Sequence, residues 1–101
     1  MSSMPGYVAI LSVELHFPEA GSLKGKRKYV LSAKAQLQHR FGASVAEVAH
    51  HELWQRCGLT AAFVAREARE AEQLAQRAEQ WLAAQDWVLS RSDLSLVSPD
   101  D

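Results

Sequence analysis

The chain has 101 residues, 48% of them apolar, and a formal net charge of −1. That length and composition specify one globular domain with a modest core and exclude a disordered chain. No apolar run approaches the ~20 residues of a membrane span, no secretory signal pattern opens the chain, and Cys57, the only cysteine, cannot form an internal disulfide, so a cytoplasmic location with no membrane role is expected.

Residues 1–6 read as a loose lead-in that ends at Pro5 and Gly6. Tyr7, Ala9, Leu11, Val13, Leu15 and Phe17 then alternate with Val8, Ile10, Ser12, Glu14 and His16. This period of two predicts a strand whose odd positions face the core. Pro18 and Gly21 close it.

The stretch from Ser22 to Arg40 holds Lys24, Lys26, Arg27, Lys28, Lys34 and Arg40 and no Asp or Glu. All twelve acidic residues lie elsewhere, and the remaining cations are Arg56, Arg66, Arg69, Arg77 and Arg91. A near-neutral chain is therefore strongly polarised. Leu23, Arg27, Val30, Ala33, Leu37 and Phe41 recur at helical spacing, with Leu31 widening the apolar face. Ser22 is a suitable N-cap and Gly42 a suitable C-terminal stop. The charges run against the helix dipole, because a helix start prefers carboxylates and this one carries four cations in its first two turns. An anion bound there would offset the mismatch. Ser22, Lys24, Lys26, Arg27, Lys28 and Lys34 are thus candidate contacts to phosphates, with Lys24, Lys28 and Lys34 pointing most outward. The competing reading is a solvated basic face whose lysine stems cover apolar surface.

Residues 43–57 support two readings. Val45, Val48, Ala49 and Leu53 suit a helix, with Ser44 and Glu47 mimicking a capping box, and 44–48 equally suits a short strand. Cys57, Leu59, Ala61, Phe63 and Ala65 alternate as a further strand with its odd face inward. Residues 67–84 carry the clearest helical stripe, formed by Ala71, Leu74, Ala75, Ala78, Trp81 and Leu82. A last strand runs from Trp87 toward Val97, and its broken alternation near Arg91–Asp93 marks an edge strand or a bulge. Pro99, Asp100 and Asp101 form a tail.

With 44–48 as a strand the order is β-α-β-β-α-β, an α+β ferredoxin-like arrangement of a four-stranded antiparallel sheet with two helices on one face. The other face would present Val8, Ile10, Ser12, Glu14, Thr60, Ala62 and Val64. Three segments resemble the YlxP-like family of small bacterial proteins without an established activity. They are Ser22-Leu23-Lys24-Gly25-Lys26-Arg27, Ser44-Val45-Ala46-Glu47-Val48 and Leu53-Trp54-Gln55-Arg56, within a likeness spanning 7–97. The resemblance implies the ferredoxin-like fold, and hence a strand at 44–48. Family genes tend to lie beside genes for translation and ribosome-maturation factors, which implies a ribosomal or rRNA partner. Gly25 departs from the Glu usual in the family, which would complete a capping box.

Catalytic motifs are lacking. Acylphosphatases share this topology, but the chain has no Asn to position a water, and 18–22 is a poor phosphate cradle. No Walker loop or dinucleotide fingerprint is present. Neither enzyme activity, a cofactor nor a small-molecule substrate is expected. His50, His51 and Glu52 suggest a metal, yet adjacent histidines in a strand diverge, and zinc needs three or four converging ligands, so no metal is expected either. Cys57 reads as a small buried hydrophobe. Trp54 and Gln55 are candidate partner contacts, with Trp54 either stacking on a base or closing the core. The open face lacks an aromatic, so RNA would be met through phosphates rather than bases. Val8, Ile10 and Val64 offer an alternative role, a homodimer or protein-docking surface on the sheet.

Overall fold

The computed structural model describes residues 6–99, so the start of the lead-in and the Asp100–Asp101 tail lie outside the described residues. Its elements are β1 (Tyr7–His16), α1 (Leu23–Phe41), β2 (Ser44–Ala49), β3 (Arg56–Ala65), α2 (Ala68–Ala83) and β4 (Val88–Val97). They form one antiparallel sheet in the order β2-β3-β1-β4. This is the expected ferredoxin-like α+β arrangement. The 44–49 segment is a strand and not a helix, because it pairs with β3 from Ser44↔Ala62 to Ala49↔Gly58.

β1 and β3 share ten consecutive partners, from Tyr7↔Ala65 to His16↔Arg56. Their odd residues bury together: Ala9, Leu11, Val13 and Leu15 against Cys57, Leu59, Ala61 and Phe63. α2 covers β1, β3 and β4 through Ala71, Ala75, Ala78 and Leu82, and its alanines let the helix lie close to the sheet. α1 lies mainly over β2. A chain of rings joins the layers, with Tyr29 stacked on Phe17 at 5.2 Å, Phe17 edge-on to Trp87 at 5.9 Å, Trp87 to Trp81 at 6.0 Å, and Trp81 to Phe41 at 6.5 Å. Such pairs stabilise by about 0.5–1.5 kcal/mol beyond area burial.

Both flanking strands break at one level of the sheet. β2 slips in register between Glu47 and Ala49. β4 slips where Glu14↔Arg91 gives way to Leu15↔Leu89, and the skipped Ser90 donates its hydroxyl to the Glu14 carbonyl at 3.1 Å. β4 is thus both an edge strand and a bulged one, and the bulge lies one residue before the break in alternation.

The helix phase of α1 differs from the sequence reading. Its buried residues are Lys26, Val30, Ala33 and Leu37, while Leu23, Arg27 and Leu31 are exposed. Leu23 and Leu31 drew the predicted stripe toward themselves, but the face is rotated so that a lysine enters the core layer. Ser22 Oγ accepts from Gly25 N at 3.0 Å, and Gly42, at φ 66, closes the helix with its N–H on Gln38 O.

Candidate polyanion interface at the start of α1

The four cations of the first two turns divide into two kinds. Lys26 is only 3% exposed. Its Nζ lies 3.2 Å from Glu47 Oε2 and donates to the His50 carbonyl at 2.7 Å. Glu47 is in β2, opposite Leu59, at a helix-facing position. A strand parity that should hold an apolar side chain holds a carboxylate instead, and the inward-facing lysine of α1 neutralises it. A buried charge needs such a partner. Lys26 is therefore withdrawn from any external ligand, which corrects its place among the phosphate contacts. Lys34 is half-buried on the flank of α1 and does not point most outward.

Lys24 and Lys28 are exposed, and among the described residues neither has an ion pair. Arg27 is exposed as well, and its Nη1 stands 3.9 Å from Glu47 Oε1. Glu47 is thus shared by two cations, and positive charge remains in excess. No acidic residue occupies the first turn of α1. A helix start also leaves N–H groups without intrahelical partners.

The loop 50–55 is fastened to this helix start in two places. Lys26 holds the carbonyl of His50, a non-glycine residue at φ 62 in the left-handed region. Gln55 Nε2 donates to Pro18 O and Ala20 O, both at 3.2 Å, and Gln55 O accepts from Phe17 N at 2.8 Å. The Gln55 amide nitrogen therefore anchors the chain entering α1, while the residue itself stays exposed. Beside it Trp54 is 54% exposed, so it does not close the core. Leu53 and Leu23 are exposed too. Glu52, Leu53, Trp54, Gln55 and Arg56 line a shallow hollow on this loop. The latches tie this loop to the start of α1, and the cation that shares the hollow with Trp54 is Arg56.

The two histidines diverge. His50 Nε2 lies 3.3 Å from Glu14 Oε1 on the open sheet face, where Arg56 Nη1 meets the same oxygen at 3.3 Å. His51 Nε2 donates to Glu47 O at 3.2 Å. Among the described residues no three His, Cys, Asp or Glu side chains are placed to share a metal ion. Cys57 is fully buried, and its thiol is pushed up to about 12, first by burial and then by the Glu47 carboxylate, with Lys26 opposing. A thiol held protonated is a poor nucleophile.

On the open face, Val8 pairs with Val64 on one side and Val97 on the other, and Ile10 with Ala62 and Ser95. These side chains form two adjacent rows across three strands, and Val64 is 69% exposed. Beyond them the face turns polar, with the Ser12 and Thr60 hydroxyls 3.1 Å apart. Among the described residues no helix is long and apolar enough to cross a membrane.

No curated protein matches the chain. Among solved structures, the de novo designed protein Foldit4 is similar over 92% of this chain and 94% of its own, at 11% identity and a TM-score of 0.45. A family model described as "Protein of unknown function (DUF503)" matches residues 8–92, a span that runs from the first strand into the last, so the chain belongs to the DUF503 family.

Proposed function

We propose that this protein is a non-catalytic RNA- or ribosome-associated accessory factor that meets phosphates through Lys24, Arg27 and Lys28. The observation carrying this reading is that Lys24 and Lys28 stand exposed and without carboxylate partners at a helix start that has no acid in its first turn. Phosphate would supply the missing negative charge. Trp54, on the loop latched to that helix start, offers a stacking surface for an unpaired base. The YlxP-like resemblance, with its neighbouring ribosome-maturation genes, directs the choice of RNA toward ribosomal RNA and of compartment toward the cytoplasm.

The test is fluorescence anisotropy of a labelled ribosomal RNA fragment at low salt. Wild type binds, with affinity falling steeply as salt rises. The double variant Lys24→Glu/Lys28→Glu loses binding. If that variant binds as tightly as wild type, the reading fails.

A second reading, protein docking or self-association through the open face, is favoured by the Val64–Val8–Val97 row. Val64→Glu would abolish it without touching the basic surface, so RNA affinity in that variant separates the two.

A further inference from the structure

The sheet has two free edges, and they are treated differently. β2 is six residues long and its ladder is interrupted before Ala49. β4 is ten residues long, and its bulge at Ser90 disrupts only its first part. Short edges, bulges, charges and prolines are the usual protections against pairing with another chain. From Leu94 to Val97 β4 has none of them. The segment reads Leu-Ser-Leu-Val, carries no charge, and keeps regular register with β1 from Ser92↔Val13 to Val97↔Val8.

The side chains of this segment add a second observation. Leu94 and Leu96 lie opposite Leu11 and Ala9, so they point to the helix-covered side. Their partners are fully buried, yet Leu94 is 38% exposed and Leu96 39%. α2 reaches β4 but covers this outer row only in part. Val97 is exposed on the opposite face. Among the described residues no strand pairs with this edge, which thus offers main-chain groups with apolar side chains both above and below.

We infer that the 94–97 edge of β4 pairs antiparallel with the same edge of a second copy, giving a two-fold dimer with one continuous sheet. The occupant is a second copy because the segment complements itself. A two-fold axis at Ser95 sets Leu94 beside Leu96 of the other copy and Leu96 beside its Leu94. The alternation keeps both leucine rows on the helix side, where they cover one another. Such a contact is isologous and closes on itself. With the axis on Ser95, residues 93–97 face one another, a paired length of about five residues or roughly 17 Å, at the small end of specific interfaces. The dimer is therefore concentration-dependent. It does not rest on the phosphate reading, and it differs from stacking of the open faces.

Sedimentation velocity on the full chain, from low to high micromolar concentration, measures the mass. The expected result is a shift from monomer to twice that mass as concentration rises. Leu94→Lys/Leu96→Lys holds the monomer mass throughout, and both sites are exposed enough for the fold to survive. Ser95→Cys, at the axis, forms a disulfide-linked dimer under mild oxidation, because directly opposed residues stand within disulfide range. Cys57 is buried and does not compete. A monomer at every concentration overturns the inference. So does a dimer indifferent to the leucine substitutions, or one that cross-links through Ala62→Cys on the open face and not through Ser95→Cys. An RNA-binding failure of Lys24→Glu/Lys28→Glu with dimerisation intact bears on the phosphate surface alone.

Discussion

Replacing Lys26 by methionine separates scaffold from surface. Methionine keeps the length of the side chain and removes its charge. The Lys26 ammonium is held by Glu47 at 3.2 Å and the His50 carbonyl at 2.7 Å. Its removal leaves a carboxylate whose side chain is only 11% exposed, with Arg27 at 3.9 Å as the remaining cation. Breaking a buried pair from one side costs about 3–5 kcal/mol. The low end applies here, because the partly exposed Arg27 can still approach. For a domain of this size, about 3 kcal/mol lowers the melting temperature by roughly 12–24 °C. Urea unfolding, followed by tryptophan fluorescence, reads the loss as a lower midpoint at unchanged slope. The double variant Lys26→Met/Glu47→Leu removes both charges and recovers to within about 1 kcal/mol of wild type, as apolar replacement of buried pairs commonly does. Affinity for RNA in the Lys26→Met/Glu47→Leu protein, where no orphaned carboxylate draws Arg27 inward, stays at the wild-type level. A single variant as stable as wild type, or a double variant that keeps its stability and loses RNA, would refute the assignment of Lys26 to the scaffold.

Gly25 has room for a side chain, since a Cβ there meets nothing closer than Ser22 Oγ at 3.5 Å. Gly25→Glu restores the capping box and improves helix propensity, for a gain of about 1 kcal/mol in thermal unfolding, while weakening RNA binding by placing a carboxylate at the helix start. Gly58 is the opposite case, because a Cβ would stand 2.8 Å from Ala49 Cβ. Gly58→Val destabilises by about 1–3 kcal/mol in urea unfolding, and the added change Ala49→Gly returns part of it. Cys57 is inert to a thiol reagent in the native protein near pH 8 and reacts once urea unfolds the chain. The folded thiol is raised from 9.0 to about 12, so the folded state holds its proton more tightly than the unfolded chain. Its contribution to stability is intact below pH 9 and disappears as pH rises toward 12, and urea midpoints across that window measure the decline.

Local chemistry made most of the fold readable. The alternation from Tyr7 to Phe17 needed no partner to be recognised, and the caps at Ser22 and Gly42 are set by one residue each. The alanine stripe of α2 was equally plain. Pattern alone left 44–49 open because six residues satisfy both periods, and pairing with β3 decides the matter through residues distant in the chain. The interior place of Lys26 is hidden for the same reason. Nothing within its helix marks a lysine as interior. The signal lay in Glu47, a carboxylate at the inward parity of β2, which demands a cation from the layer above. The fastening of the 50–55 loop to the start of α1 is equally hidden in the sequence, because it depends on Gln55 reaching back 35 and 37 residues to Ala20 and Pro18.

The ten uninterrupted partners of β1 and β3, set against slips in both outer strands, divide the sheet by cooperativity. Amides in the central pair exchange with deuterium only when the whole domain opens. Those of β2 and of Val88–Leu89, which precede the Ser90 bulge, escape through local fraying, each outer strand hinging at its own slip. Partial opening therefore begins at the rims and leaves the central antiparallel pair as the last element to lose protection.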